Sequence, residues 1–487
     1  MLEKPVARTK ILATLGPACA SLAKIKLMIK AGVTAFRLNM SHGDDETRRE
    51  YICHVKEARK ELKRSVAILV DLRGPRIRLG NFADSRTLVN GEKITLKVTK
   101  SSSDKDVLPI DYKNFAKDVV SEQRVLIRDG RIALIVDKVI DDKTVSCTVR
   151  RGGEISANQG VNLPDTTVSA PAISAKDRRD IKFAIENECD WLALSFVRSA
   201  EDVAAVRREL AKYDLTIPVM SKIEHPLAIE NLKEIIAASN GVMVARGDLA
   251  VEMGHEIVPT LQKRIVREAI TMAIPVVVAT QMLESMIDSA APTRAEVSDV
   301  GNAVLDGVDA VMLSGETAVG SYPVEACRIM RRIARRTEEG QFDDNWRLRP
   351  SILPTAGLSE TSPDMAITNA AVDAAHKSKA ALILAFTQSG RSARLCSSFR
   401  ARLPIVACTM NERSFHRMSL FWGVSPVCIP KVSRIRDMNR YAAKELSDHR
   451  FVRPDQLVVS LTGTFAVSGA TNTVRLVPFE RLGPATT

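Results

Sequence analysis

Three side chains carry the most pointed chemical signal in this sequence: Lys222 and Glu224 in the run PVMSKIE, and Asp248 in VARGDLAVE. Paired carboxylates supply hard oxygens, and water and phosphate complete an octahedron, which describes a site for Mg²⁺ (or Mn²⁺). Lys222 alternates with Glu224 on one strand end and adds a compact positive charge; Arg37 and Arg78 bring two more. Cations gathered around one metal imply a substrate with several negative charges, such as a phosphorylated carboxylate. Phosphoryl transfer asks for little else than alignment and charge to stabilise the moving group. Each signal alone is weak. A Lys-x-Glu pair is more often a surface ion pair, Arg246-Gly247-Asp248 is a common turn-forming tripeptide, and a single His42 is more often structural.

The elements that position these residues give them weight. Eight short apolar runs recur: 10–14, 35–39, 66–71, 191–195, 218–222, 241–245, 275–280 and 310–314. Continuous Val/Ile/Leu/Ala runs suit a parallel sheet buried on both faces. Amphipathic segments at 22–31, 46–62, 176–188, 201–212, 227–238, 259–272 and 323–338 alternate with them, which predicts a (β/α)₈ barrel. Active sites of such barrels lie at the C-terminal ends of the strands. Those ends supply Thr14; Arg37, Asn39, Ser41 and His42; Asp71; Ser195; Lys222 and Glu224; Arg246 and Asp248; Thr280; and Ser314 with Glu316. Eight apolar strands that all end in polar groups are poor design for stability and good design for a site.

The alternation breaks at 75–171, where Val/Ile/Thr alternation and Asn-Gly and Asp-Gly turns predict an all-β insertion. Beyond a Pro-bearing loop, strands at 381–386, 404–409, 456–461 and 474–477 predict a doubly wound α/β domain. The expected division is a catalytic barrel of 1–74 and 172–344, an insertion of 75–171 and a C-terminal domain of 345–487.

Composition bounds the class. With 487 residues, 45% hydrophobic and 26% charged, the chain reads as a multidomain globular protein. No apolar run reaches the ~20 residues of a membrane span. The charged N-terminus lacks a signal region, so a cytoplasmic location is expected. Eight scattered cysteines form no CxxC pair and read as reduced thiols. Residues 346–487 carry 19 Lys or Arg against 9 Asp or Glu, which suits a phosphate-bearing partner there or a solvated basic face. Aromatics at 4%, with no RNP-like motif or zinc finger, argue against nucleic acid.

The motifs ILATLGPA (11–18), FRLNMSHG (36–43), GVNLPD (160–165), MSKIE (220–224), VARGDLAVE (244–252), ATQMLESM (279–286), PTRAEVSDV (292–300) and AVLDGVDAVMLSGETA (303–318) together resemble pyruvate kinases. The likeness runs from about residue 8 to the end of the barrel, weakens in the insertion and resumes at FTQSGRSA (386–393). The resemblance implies transfer of a phosphoryl group from phosphoenolpyruvate to ADP, the last step of glycolysis. It implies metal ligation by Glu224 and Asp248, and stabilisation of the moving group by Lys222, Arg37 and Arg78. It places the substrate carboxylate on the backbone of Ala245, Arg246 and Gly247, with Ser195, Asp248 and Thr280 also at the substrate. Thr280 would position a water that protonates the enolate, with Ser314 and Glu316 as a relay. Nucleotide contacts would come from Pro17, Asn39, His42, Arg78 and Asp129, the insertion acting as a lid. A homotetramer is also implied.

Two departures stand out. K⁺-requiring pyruvate kinases usually place Thr after the Asp and Glu after Gly-Pro; here DLRGPRIR (71–78) gives Leu72 and Arg76. A fixed cation at Arg76 could take over the electrostatic task of K⁺, so K⁺ is not expected to be required; the alternative is that Arg76 merely faces solvent in the lid hinge. Gln159 stands where many relatives have Lys; if that Lys contacts nucleotide phosphate, this chain lacks a charge there and its nucleotide affinity is in question. In the last domain, Thr387, Gln388, Ser389, Gly390, Arg391 and Ser392 follow a strand and open a helix, the place where family members bind phosphorylated effectors. Two other classes compete. A carbon–carbon lyase barrel would share the carboxylates but needs neither lid nor Lys222. An inactive sensor would have no physical reason to retain so costly a charge cluster.

Overall fold

The inward and outward faces of the eight apolar runs differ, and that difference builds the molecule. In the computed structural model, which describes residues 7–82, 85–213, 215–343, 362–448, 452–463 and 471–482, they close into a parallel barrel in which the first strand pairs with both the second and the eighth. The strands are Lys10–Thr14, Ala35–Asn39, Ala67–Asp71, Trp191–Leu194, Val219–Ile223, Gly241–Ala245, Val276–Ala279 and Ala310–Leu313. Side chains alternate along a strand. One set, including Ile11, Phe36, Ile68, Leu192, Val242 and Val278, packs outward into the layer beneath the helices. The other set, including Leu12, Ala35, Leu69, Ala193, Met220 and Met243, fills the barrel interior. Two residues further along the inward set come Thr14, Arg37, Asp71, Ser195 and Lys222. The barrel is thus apolar at its base and polar at its mouth, by the period of the strand alone.

The helices follow as expected with small shifts. The amphipathic stretch 227–238 forms two helices, Pro226–Glu230 and Leu232–Ala238, broken at Asn231, whose side chain donates to the Arg198 carbonyl at 2.9 Å.

The insertion folds on its own core of Ile94, Leu96, Phe115, Leu134, Val145 and Cys147 as a seven-stranded sheet with a separate two-stranded ribbon. Its entry is Gly74, at φ +70, whose N–H donates to Asp177 Oδ1 at 3.1 Å. A Cβ there would lie 3.1 Å from Ser195, so only glycine fits this bend. The Asp129–Gly130 turn has positive φ at both residues, as a two-residue hairpin turn demands.

The C-terminal sheet has five strands in the order Val424–Cys428, Ile405–Thr409, Leu382–Phe386, Leu457–Gly463 and antiparallel Thr471–Pro478. The sequence pattern missed Val424–Cys428, because Ser425 and Pro426 interrupt the apolar run; the strand lies at a sheet edge, where proline is tolerated. This domain seals the base of the barrel. Trp191 stacks edge-on against Phe421 at 6.4 Å. Asp309, buried at the start of the eighth strand, accepts from Arg400 at 3.0 Å, from the Trp422 N–H at 3.1 Å and from the Val276 N–H at 3.0 Å. The expected barrel boundary at 344 and 345 lies outside the described residues. Among the described residues, no helix is long and apolar enough to cross a membrane.

Candidate active site

Asp71 is the hub of the barrel mouth. Arg37 donates to its Oδ2 through Nε at 2.7 Å and also reaches Thr14 Oγ1 at 3.3 Å. Lys222 Nζ lies 3.5 Å from Asp71 Oδ1 and 2.8 Å from Glu224 Oε1, and it donates to Ser195 Oγ at 2.8 Å. Ser195 in turn donates to the Leu72 carbonyl at 2.8 Å. Burial alone would lower the Lys222 pKa, but Asp71, Glu224 and Asp248 outweigh it and hold it above the ordinary lysine value. Burial would likewise raise Asp71, yet Lys222 and Arg37 pull it below the usual carboxylate value. The ammonium is therefore charged, and its position is fixed by three strands.

Glu224 is wholly buried. Its Oε2 accepts the Phe196 N–H at 2.8 Å, from a residue held at φ +54. Its Oε1 meets the Lys222 charge without a well-angled hydrogen bond. Burial pushes its carboxyl pKa upward, Lys222 opposes, and Asp248 adds to the rise. Glu224 follows one strand and Asp248 follows its neighbour, and a buried carboxylate oxygen left without a hydrogen bond suits a hard divalent cation. Among the described residues no group of three or more His, Cys, Asp or Glu side chains is placed to cage a metal.

Arg246 and Gly247 open the helix Arg246–Met253. The Arg246 guanidinium turns away from the mouth to Asp299 at 2.7 Å and to the Thr280 carbonyl at 2.6 Å. Gly247 N–H donates to Thr280 Oγ1 at 2.8 Å, and that hydroxyl donates to the Ala279 carbonyl at 2.6 Å. Thr280 sits at φ +71, a costly conformation for a β-branched residue and one typical of functional sites. Ser314 Oγ is buried without a hydrogen-bond partner and lines the mouth. Glu316 touches Ser314, its partner in the expected relay. Both its oxygens accept backbone N–H groups, from Leu283 at 3.0 Å and Ser314 at 2.6 Å, and burial raises its pKa. It positions the loop that carries Ser314.

Around the rim, Arg37, Asn39, Asp71, Arg76, Lys222 and Asp248 line one cavity, and Ala245 adds its strand end. Arg76 is exposed, and Leu72 is buried. Arg78 lies on the strand entering the insertion; burial lowers its pKa, and Arg73 and Arg76 add to the effect. Burial lowers the His42 pKa, as do Arg76, Arg37 and Arg78 after it, which puts His42 beside that cationic edge. Pro17 is exposed on the loop after the first strand. Asp129 lines a separate cavity between insertion and rim. Gln159 Oε1 is buried without a hydrogen-bond partner.

Family models describe the same ground. The pyruvate kinase barrel domain matches residues 6–327, and the pyruvate kinase alpha/beta domain matches 365–477. The chain belongs to the pyruvate kinase family. A pyruvate kinase of Mycobacterium tuberculosis is 41% identical over 98% of both chains, and pyruvate kinase 2 of Synechocystis is 40% identical over 96% of this chain and 79% of its own. A solved pyruvate kinase from Cryptosporidium parvum superposes with a TM-score of 0.91 at 31% identity, covering 97% of this chain and 96% of that one. The enzyme is accordingly a phosphotransferase acting on phosphoenolpyruvate and ADP, and pyruvate kinases generally use Mg²⁺.

In the C-terminal α/β domain, Gly390 sits at φ +89 before the helix Arg391–Ser398, and its N–H donates to Thr387 Oγ1 at 3.0 Å. Gln388 and Ser389 are exposed. Arg391 pairs with Asp364, and the buried Ser392 hydroxyl meets Thr471 Oγ1 at 2.6 Å. Sequence reasoning assigned no part to Arg73 or Arg48. Arg73 lines the mouth cavity, and Arg48 donates to the Met40, His42 and Gly43 carbonyls, which ties down the loop carrying His42. Arg48 follows Asp44, the helix cap, by four residues, and that spacing was the signal available.

Proposed function

We propose that Lys222, Arg37 and Arg78 stabilise the phosphoryl group as it leaves phosphoenolpyruvate for ADP. The carrying observation is the buried triangle of Lys222, Asp71 and Glu224, with Lys222 at 2.8 Å from Glu224 and 3.5 Å from Asp71. Glu224 and Asp248 would hold Mg²⁺ (or Mn²⁺), which when bound supplies positive charge to the phosphate and carboxylate oxygens. Asp71 and Ser195 keep the Lys222 ammonium aimed at the mouth and charged. The helix start at Ala245, Arg246 and Gly247 receives the substrate carboxylate; Thr280 takes part by releasing the Gly247 N–H and turning its hydroxyl to a water. That water protonates the enolate on carbon, beside Ser314. Asn39, His42, Pro17 and Asp129 border the side where nucleotide enters. The domain division is 1–74 with 172–344, 75–171 and 345–487. A coupled assay for pyruvate from phosphoenolpyruvate and ADP, run with Mg²⁺ and with excess chelator, tests the reading: activity without divalent metal would sink it.

Arg76 replaces K⁺ in this scheme. It lines the mouth with Asp71, Lys222 and Asp248, and buried Leu72 offers no side-chain oxygen to a monovalent ion. Titration with KCl against tetramethylammonium chloride is expected to change the rate less than about twofold, since a guanidinium is permanently charged. Many-fold activation by K⁺ would defeat the idea.

The segment Thr387–Ser392 would take a phosphorylated effector on its backbone N–H groups and hydroxyls, and the subunits would assemble as a cytoplasmic homotetramer. The joint substitution Ser389→Ala and Arg391→Ala should abolish activation by whichever sugar phosphate or AMP activates the parent enzyme. Full retention of activation would move the effector elsewhere.

A further inference from the structure

Glu252 lies one helical turn beyond Asp248, on the helix Arg246–Met253, and is 3% exposed. Residues four apart share a helix face, so its carboxylate points the same way as the proposed metal ligand. Across the gap, Asn162 at the end of the insertion strand Gly160–Asn162 donates from Nδ2 to Glu252 Oε1 at 2.7 Å. Glu252 Oε2 is buried with no hydrogen-bond partner. Beside it the Asp129–Gly130 turn comes near the helix: a Cβ on Gly130 would stand 3.5 Å from Val251 Cγ1. The insertion therefore touches this helix at Glu252 and comes close to it at Val251. Between them and the rim lies a cavity of about 80 Å³ lined in part by Arg76, Asp129, Asn162, Asp248 and Glu252.

For stability alone this is an unfavourable choice. A buried carboxylate with one oxygen unsatisfied, near Asp248 and Glu224, carries desolvation and repulsion that a neutral side chain would avoid. What the side chain provides is a buried acceptor oxygen for one lid donor, and leaving such a donor unpaired in a closed gap is costly. We propose that Glu252 is a positioning residue that latches the insertion over the barrel mouth through Asn162. The proposal rests on the reading of the insertion as a lid over the phosphoryl-transfer site. With the latch closed, Asp129 and Arg76 border the same cavity as Asp248, so nucleotide and rim are brought together. With it open, Asn162 and both Glu252 oxygens hydrate, and the lid is left to its two connections to the barrel and to the Arg198 hydrogen bonds near the second of them.

The test uses the full-length enzyme and its variants Glu252→Ala, Asn162→Ala, the double variant and Glu252→Gln. Amide hydrogen exchange in the absence of substrates is read over 124–132, 160–163 and 246–253. Glu252→Ala and Asn162→Ala are each expected to speed exchange there about tenfold, with the barrel strands unchanged. Each should raise the KM for ADP about tenfold more than the KM for phosphoenolpyruvate. The double variant should be no worse than either single one, because both remove the same contact. Glu252→Gln keeps an acceptor oxygen for Asn162 and should stay within about threefold of the parent. Multiplying losses in the double variant, unchanged exchange, or Glu252→Gln as impaired as Glu252→Ala would each overturn the latch. Exchange is read without catalysis, so a failed latch is distinguishable from a failed site assignment, which the parent enzyme's own metal-dependent activity reports.

Discussion

Lys222→Met should fold and bind nucleotide but turn over phosphoenolpyruvate about 10³-fold more slowly than the parent enzyme. The reason is electrostatic. The ammonium is buried, held by Asp71, Glu224 and Ser195, and charged because those carboxylates outweigh its desolvation. A donor fixed in advance where charge develops is worth about 10²–10³ in rate when removed. Lys222 meets both Asp71 and Glu224, so its loss should reach the upper end. Methionine keeps the stem volume, so the effect reads charge rather than packing. The substitution leaves Asp71 and Glu224 without their shared cation, and breaking a buried pair costs about 3–5 kcal/mol. Thermal unfolding should therefore fall in step, and steady-state kinetics on the folded fraction separates the two effects. A kcat within tenfold of the parent would remove Lys222 from the chemistry.

Glu224→Gln tests the metal. Glutamine keeps an oxygen for the Phe196 N–H, which Glu224 accepts at 2.8 Å, so the strand end should hold its shape. It loses the anionic charge that a divalent ion needs. Altering groups that only support metal ligands already costs about 10–100-fold in affinity or activity, so loss of a ligand charge should raise half-saturating Mg²⁺ by about 100-fold and lower kcat about 10²-fold. Asp248→Asn should move both in the same direction. Direct Mn²⁺ binding, followed by electron paramagnetic resonance without substrate, supplies the independent readout. Unaltered Mn²⁺ affinity in both variants would place the ion elsewhere.

Much of the site was legible because barrel strands obey a simple period. Once MSKIE is a strand, Met220 and Lys222 share a face, and if Met220 fills the interior then Lys222 opens into the mouth. The same reasoning places Arg37 above Ala35 and Asp71 above Leu69. Glu316 escaped it, because it lies past the eighth strand, where the chain turns and no period governs its direction. Its acceptors and donors are backbone groups of neighbouring loops, and these are set by how those loops pack. Glu252 was hidden differently. Its spacing from Asp248 was readable, but its partner Asn162 belongs to another folding unit 90 residues away.

The amino-acid order by itself determined the eight-fold alternation, the β insertion, the last α/β unit and the set of charged strand ends, since each depends on local periodicity and turn residues. Which charges become partners was decided only in three dimensions. Asp71 serving both Arg37 and Lys222, Arg246 turning away to Asp299, and Asn162 reaching Glu252 all join residues far apart in the chain. Such pairings follow from barrel closure and from the seat of the insertion on the rim. Pattern along one strand cannot encode a distance between two strands, because that distance is fixed by the packing of everything between them.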